Sequence, residues 1–553
     1  MSNNISRRKF LKTTAAAYGA LLLPGSSISC SGSRELDIVI LNGTIIDGTG
    51  REGFTADIGI TGDAIAAIGD LRNSNAHTNI DAQGKIVAPG FIDIHSHTDS
   101  GLLRVPNAES KVRQGVTTDV GGNCGSSPFP RLKENYSKAS SPEDCINFNS
   151  LRERFNSSQF SVNTSLFTGH GTIRNLVLGQ EDRKPSANEL RIMKDILKDA
   201  LQQGSAGLSS GLEYTPGRYA DKEELAGLCK VVVENGGVYA THMRSEDEKL
   251  VEAVEEALET ARETGVSLQI SHLKAAGKPN WHKIDRVIEM IDKAHSEGVN
   301  VHFDRYPYLA YSTGLSFFFP GWALEGGSSP FIERLKNRAA RDRMKKDTMI
   351  KVEANGGWET IMISDIKNES NSGYLGRRID EIAGGEKEDP FNFVCELLIS
   401  EQGNISIVGY AMSEKNTEKV LSHPLCMIGS DGYATDAQSA MASGKPHPRS
   451  FGTFPKAIRD YSLNKKVVGL PDMIRKMTSL PADKLGISDR GRITEKAIAD
   501  IVVFTQDEIR DRATYLEPWH YPEGIKHVLV NGKEVIKYGL QTDLKPGKYL
   551  SGS

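Results

Sequence analysis

From about residue 90 to residue 485, short apolar runs alternate with amphipathic helical patterns, and this rhythm constrains the fold more than anything else in the chain. The candidate strands are Phe91 to Ile94, Thr117 to Val120, Ser165 to Thr168, Gly207 to Ser209, Val238 to Thr241, Leu268 to Ser271, Val301 to Asp304, Ile405 to Val408 and Cys426 to Ser430. Between them, the stretch Leu250 to Thr264 sets Val251, Val254, Ala257 and Leu258 on one helical face, and His282 to Glu297 repeats the pattern. Repeated β-then-α units specify a parallel sheet, and about eight of them specify an α/β fold of the (β/α)8 TIM-like barrel type. Nine candidates are present, so one belongs elsewhere.

Both ends of the ordered sequence read as short strands separated by turns. Leu36 to Leu41, Ile45-Ile46, Ile58 to Ile60 and Ile65 to Ile68 stand at one end. Ile498 to Phe504 and His527 to Val535 stand at the other, with Val530-Asn531-Gly532-Lys533 as a hairpin turn. The expectation is a small β-sandwich domain built from 35–89 and 486–545 around a barrel at 90–485. Gly48-Thr49-Gly50-Arg51-Glu52-Gly53 fits the dinucleotide fingerprint, but a strand follows it, whereas a pyrophosphate site needs a helix N-terminus. It reads as a glycine-rich turn. A charged stretch with Arg334, Lys336, Arg338, Arg341, Arg343, Lys345 and Lys346 breaks the rhythm. It reads as a solvated helix face within an insertion at about 320–400, placed as a lid near the barrel mouth.

The first 34 residues are of another kind. Ser6-Arg7-Arg8-Lys9-Phe10-Leu11-Lys12, followed by an apolar run from Ala15 to Leu23, reads as a twin-arginine export signal. Cys30 in Ser27-Ile28-Ser29-Cys30 resembles a degenerate lipobox, and two readings stand side by side, a lipid-anchored lipoprotein or an incidental cysteine in the signal tail. The expected location is the periplasm, free or membrane-anchored. A net charge of -4 gives no reason to expect nucleic acid, and no apolar stretch is long enough for a transmembrane span. The six cysteines are scattered and show no disulfide framework.

Side chains at the C-terminal ends of barrel strands converge on one mouth. His95 and His97 follow the first apolar run, Cys124 follows the second, and His242, His272 and Asp431 end later ones. Each alone has a bland reading, as a core thiol, a buried histidine or a turn aspartate. Six at successive strand ends form a Cys, His and carboxylate set suited to zinc.

These residues also carry a resemblance. Phe91 to His97, Gly122 to Gly125, Thr241 to Arg244, Ser271 to Lys274, Tyr306-Pro307-Tyr308, Ser430-Asp431-Gly432, His447-Pro448-Arg449, Met477 to Ala482 and Tyr521 to Ile525 occur in that order. The set resembles the amidohydrolase superfamily, specifically the N-acyl-D-amino-acid deacylases or D-aminoacylases. Many amidohydrolases bridge two metals with a carboxylated lysine near the fourth strand. Here that region, Gly207 to Tyr214, has no lysine, and the deacylases use a cysteine after the second strand, which matches Cys124. The resemblance implies one tightly held zinc on Cys124, His242 and His272. It implies a second, weaker divalent-metal position on His95, His97 and Asp431, with Cys124 open to sharing.

It also implies deacylation of N-acyl-D-amino acids by activated water, with Asp431 as general base and then acid, and Lys274, Tyr306 and Arg449 on the substrate carboxylate. The stretch from Asp431 to Arg449 is longer than the family's usual spacing. Tyr214 is a candidate oxyanion donor or a lining tyrosine, and Ser312 a further substrate contact. The partner is a small acylated amino acid or peptide-like molecule. The rival readings are a dipeptidase, a cyclic-amide hydrolase such as a hydantoinase or dihydroorotase, and a metal-binding protein without turnover.

Overall fold

A computed structural model of the chain describes residues 35–134, 136–438 and 443–552. The twin-arginine stretch and Cys30 lie outside the described residues. Eight parallel strands make the barrel: Phe91–Asp93, Val116–Gly121, Asn163–Leu166, Gly207–Gly211, Val238–His242, Ser267–Ile270, Val301–Arg305 and Cys426–Ile428. The eighth closes onto the first just past the strand ends. There the Asp431 amide donates to the His95 carbonyl and the His97 amide to the Gly432 carbonyl, both at 2.7 Å. The short strand Thr168–Gly169 carries the third strand onto the fourth. Ile92, Ile94, Val120, Phe167, Ala240 and Met427 cluster inside the barrel with Leu480 and Leu485 beneath them.

The outer helices form where the pattern places them. Leu250–Thr264 buries Leu250, Ala253, Val254, Ala257, Leu258 and Ala261. It stops at Gly265, whose left-handed φ of 75° lets its amide return to the Ala261 carbonyl.

Ile405 to Val408 is the surplus strand. As Ser406–Gly409 it is the middle of a three-stranded antiparallel sheet, between Tyr311–Gly314 and Ile361–Asp365. A buried apolar run reads the same in a barrel and in a satellite sheet, so periodicity could not separate the two. The insertion is therefore wider than the expected 320–400 and reaches from Tyr311 to Gly409. It has its own core, with Phe319, Phe331, Leu335, Ile363, Val394 and Ile407 among its members.

Both chain ends share one nine-stranded sheet, joined where Ile86–Pro89 runs antiparallel to Ile501–Phe504. A bridge between Ala64 and Ile498 curls the sheet over Ile40, Ile58, Ile60, Val87, Val503 and Leu529. The turn Asn531-Gly532 has left-handed φ values of 48° and 72°, as a tight hairpin needs. The chain past 545 returns to the barrel, where the Leu550 amide donates to the Thr164 carbonyl at 2.7 Å.

Asn531 holds the seam between sheet and barrel. Its Nδ2 donates to Asn163 Oδ1 and to the Pro546 carbonyl, and its Oδ1 accepts from Arg490. Asn531→Ala strands these buried partners and removes the polar side chain that tolerates a left-handed φ, so unfolding stability should fall by about 2–4 kcal/mol. Chemical denaturation checks this, and metal content should stay unchanged.

Candidate active site

Each ligand candidate stands at or just past the end of a barrel strand, His242 as the last residue of Val238–His242. Cys124, His272 and Asp431 have φ values of 52°, 35° and 53°. Left-handed backbone in non-glycine residues costs about 1–3 kcal/mol each and clusters at functional sites. Strand pairing ends at Asp93, so His95 and His97 are aligned by the closure bonds of the barrel rather than by simple strand alternation.

The side chains converge. Cys124 Sγ lies 3.4 Å from His95 Nε2 and 3.5 Å from His272 Nε2. His242 Nδ1 lies 2.9 Å from His272 Nε2. Asp431 Oδ1 lies 2.9 Å from His97 Nε2 and 3.5 Å from His95 Nε2. Two groups result, Cys124, His242 and His272 in one and His95, His97, Cys124 and Asp431 in the other, each with its ligand atoms within 4.8 Å of one another.

The donors fit zinc. His95 gives Nδ1 to Asp304 at 3.0 Å, and His242 gives Nε2 to Glu213 at 3.1 Å. Carboxylate partners of this kind fix the tautomer of a neutral ring, so His95 Nε2 and His242 Nδ1 are the nitrogens that would turn a lone pair to a metal. Burial pushes the Cys124 thiol up, but the charges of His95 and His272 and hydrogen bonds from His242 and His272 hold it well below the usual range. This favours the thiolate, the ligand form. Burial likewise raises Asp431, and Arg449, His272 and His97 outweigh it and keep the carboxylate anionic.

Three supporting carboxylates escaped the sequence reading. Asp304 accepts from His95, from Gln269 Nε2 at 2.7 Å and from the His272 amide at 2.9 Å. Glu246 lies 2.8 Å from His272 Nδ1 and 2.5 Å from Lys274 Nζ. Glu213 stands directly after the fourth strand, where a strand-end scan that admitted glutamate would have found it.

A cavity of about 610 Å³ opens over these groups, and Tyr214, Lys274, Tyr306, Ser312 and Arg449 all line it. Lys274 and Arg449, expected on the substrate carboxylate, are both engaged, Lys274 by Glu246 and Arg449 by Asp431 Oδ2 at 2.6 Å. Arg449 also lies over the Tyr306 ring at 5.1 Å. The Tyr306 hydroxyl is buried with no hydrogen-bond partner among the described residues. The Tyr214 hydroxyl meets Thr313 Oγ1 of the insertion at 3.2 Å, and its ring packs on His242 at 4.7 Å.

The amidohydrolase family model matches residues 78–302. A D-aminoacylase from Alcaligenes xylosoxydans xylosoxydans is 32% identical over 536 residues, covering 95% of this chain and 99% of the relative. The chain belongs to the D-aminoacylase family of amidohydrolases. An N-acyl-D-glutamate deacylase from the same organism is 34% identical over 525 residues, covering 94% of this chain and 97% of the relative. Among solved structures, N-acyl-D-glutamate deacylase from Bordetella bronchiseptica, complexed with zinc and a phosphonate mimic of the tetrahedral intermediate, superposes with a TM-score of 0.79. It is 32% identical and covers 94% of this chain and 100% of that one. Within this family, Asp304→Asn should weaken divalent-metal binding at His95 by about 10–100-fold, because the ring loses its orienting carboxylate. Metal counting on dialysed protein reads the loss.

Proposed function

We propose that this protein is a zinc-dependent hydrolase that splits the amide of an N-acyl-D-amino acid into a carboxylate and the free D-amino acid. The observation that carries the reading is the Cys124 sulfur shared between two histidine sets, with the Asp431 carboxylate at the edge of one. Cys124, His242 and His272 would hold the tightly bound zinc, and His95, His97, Cys124 and Asp431 a weaker second ion. When bound, zinc supplies a water that ionises near about pH 7 and a charge that polarises the amide carbonyl.

The chain's own residues do the rest. Asp431 takes the proton of the attacking water and later returns it to the departing amine nitrogen. Its contacts with His97 and Arg449 fix the carboxylate in place for both transfers. The Tyr306 hydroxyl is the free donor for the substrate α-carboxylate, and the Arg449 guanidinium above its ring adds charge at the same spot. Ser312 on the insertion faces the same cavity. The absence of a lysine in Gly207–Gly211 counts against a cyclic-amide hydrolase.

Asp431→Asn should lower turnover by about 10²–10⁴-fold with zinc still on Cys124, His242 and His272. A screen of acyl-D-amino acids, acyl-L-amino acids and dipeptides, with zinc counted on the same samples, tests the activity. Turnover confined to L-dipeptides would overturn it. Ser6 to Lys12 further supports twin-arginine export to the periplasm, where Arg7→Lys with Arg8→Lys should retain the protein in the cytoplasm. Palmitate labelling that Cys30→Ser abolishes would mark a lipoprotein, and its absence a free periplasmic enzyme.

A further inference from the structure

Four arginines are buried among the described residues, Arg174, Arg305, Arg449 and Arg490. Three of them rest on a carboxylate, Arg174 on Glu224, Arg449 on Asp431 and Arg490 on Asp500. Arg305, the last residue of the seventh strand and only 1% exposed, does not. Its Nη2 donates to the Tyr308 carbonyl and to Thr417 Oγ1, both at 3.1 Å. Its Nε and Nη1 are buried with no hydrogen-bond partner among the described residues.

A guanidinium keeps its charge at any pH at which the fold survives, so burial cannot be relieved by losing a proton. An unpaired charge in the interior is strongly destabilising. The neighbouring carboxylates are committed elsewhere. Asp304, one residue before, accepts from His95, Gln269 and the His272 amide. Glu414, at the start of the adjoining helix, accepts from Tyr461 and Lys465. The Tyr306 ring lies 4.8 Å from the guanidinium carbon and offers its negative face, but no acceptor for the two free N–H groups.

A cavity of about 10 Å³, the room of one water-sized particle, adjoins the guanidinium. Leu273, Met412, Ser413, Asn416 and Thr417 line it with Arg305. Lys274 shares the wall, but its ammonium is spent on Glu246. Ser413 is the N-cap of the helix Glu414–Ser422, so the positive end of that helix lies at the cavity. Ser413 Oγ accepts from the Asn416 amide at 3.4 Å and keeps its own proton to give. Two sources of positive charge thus meet at a space too small for a carboxylate or a phosphate.

We propose that Arg305 and the Ser413 end of the helix Glu414–Ser422 bind a chloride ion. Arg305 Nε and Nη1 and the Ser413 hydroxyl are its donors. Water in the same space would satisfy the N–H groups and leave the charge unmatched. The ion ties the end of the seventh strand, and Tyr306 directly after it, to the outer helix. None of the six metal-ligand candidates lines the cavity, and the inference does not rest on the hydrolase reading.

The test is thermal unfolding of the zinc-loaded full chain in sodium gluconate and in sodium chloride at equal ionic strength. Chloride should raise the wild-type Tm by about 1–3 °C. Arg305→Met should unfold at one temperature in both salts. Comparing salts within a variant sets aside what the substitution itself does to stability, and chloride on bound zinc would shift both proteins alike. Wild-type crystals grown in sodium bromide should show an anomalous peak within hydrogen-bond reach of Arg305 Nε and Nη1 at the bromine edge. No chloride shift in the wild type, an equal shift in Arg305→Met, or no bromide peak at Arg305 would each overturn the proposal.

Discussion

One ammonium holds the barrel shut beneath the site. Lys111 Nζ is fully buried, 2.6 Å from Asp93 on the first strand and 3.0 Å from Asp119 on the second. It also donates to Ser96 Oγ and to Ser430 Oγ, the latter just past the eighth strand. Ser96 separates His95 from His97, and Ser430 precedes Asp431. The lysine therefore ties together the three chain segments that present four of the six candidate metal ligands, His95, His97, Cys124 and Asp431. Removing one member of such a buried cluster costs about 3–5 kcal/mol, because the others are left charged and dry. An apolar replacement of the whole cluster need not cost stability but would not fix where His95 and Asp431 stand.

The same economy of charge runs through the cavity. Burial raises Asp93, with Asp119 adding to it against the pull of Lys111. Above it, Asp431 is matched by Arg449, Glu246 by Lys274 and Glu213 by Lys351. Each carboxylate that touches a candidate ligand histidine is thus either paired with a cation or, like Asp304, satisfied by hydrogen bonds from Gln269 and the backbone. This pairing leaves the inward nitrogens of His95 and His242 to face Cys124 and His272. A substrate carboxylate entering the cavity then meets cations that already have partners, and the Tyr306 hydroxyl is the donor with none.

Much of this was legible because a barrel strand writes its ligand where its apolar run stops. His95, His97, Cys124, His242, His272 and Asp431 all follow that rule, and so all six were visible. Asp304 was missed because it lies within the seventh strand, Val301–Arg305, and had been counted as strand rather than as site. Glu246 and Lys351 follow no strand at all. Lys351 sits in a charged helix where Arg343 and Lys346 are exposed to solvent. Composition cannot single out the one lysine of such a helix that turns inward. The Ser406–Gly409 strand shows the same limit, since an apolar run carries no label for the sheet it joins.

The insertion is the element whose meaning changed most. Read from sequence it was a lid with a solvated charged face. In the structure it supplies Ser312, Thr313, Phe317, Lys351 and Asn355 to the cavity wall or its supports. Its strand Tyr311–Gly314 holds the Tyr214 hydroxyl through Thr313, and Tyr214 packs on His242. Its long helix reaches the same histidine through Glu213. Both routes end on His242, so the insertion bears on one ring of the Cys124, His242 and His272 set. A change in the insertion would therefore be felt at the metal before it was felt at the substrate.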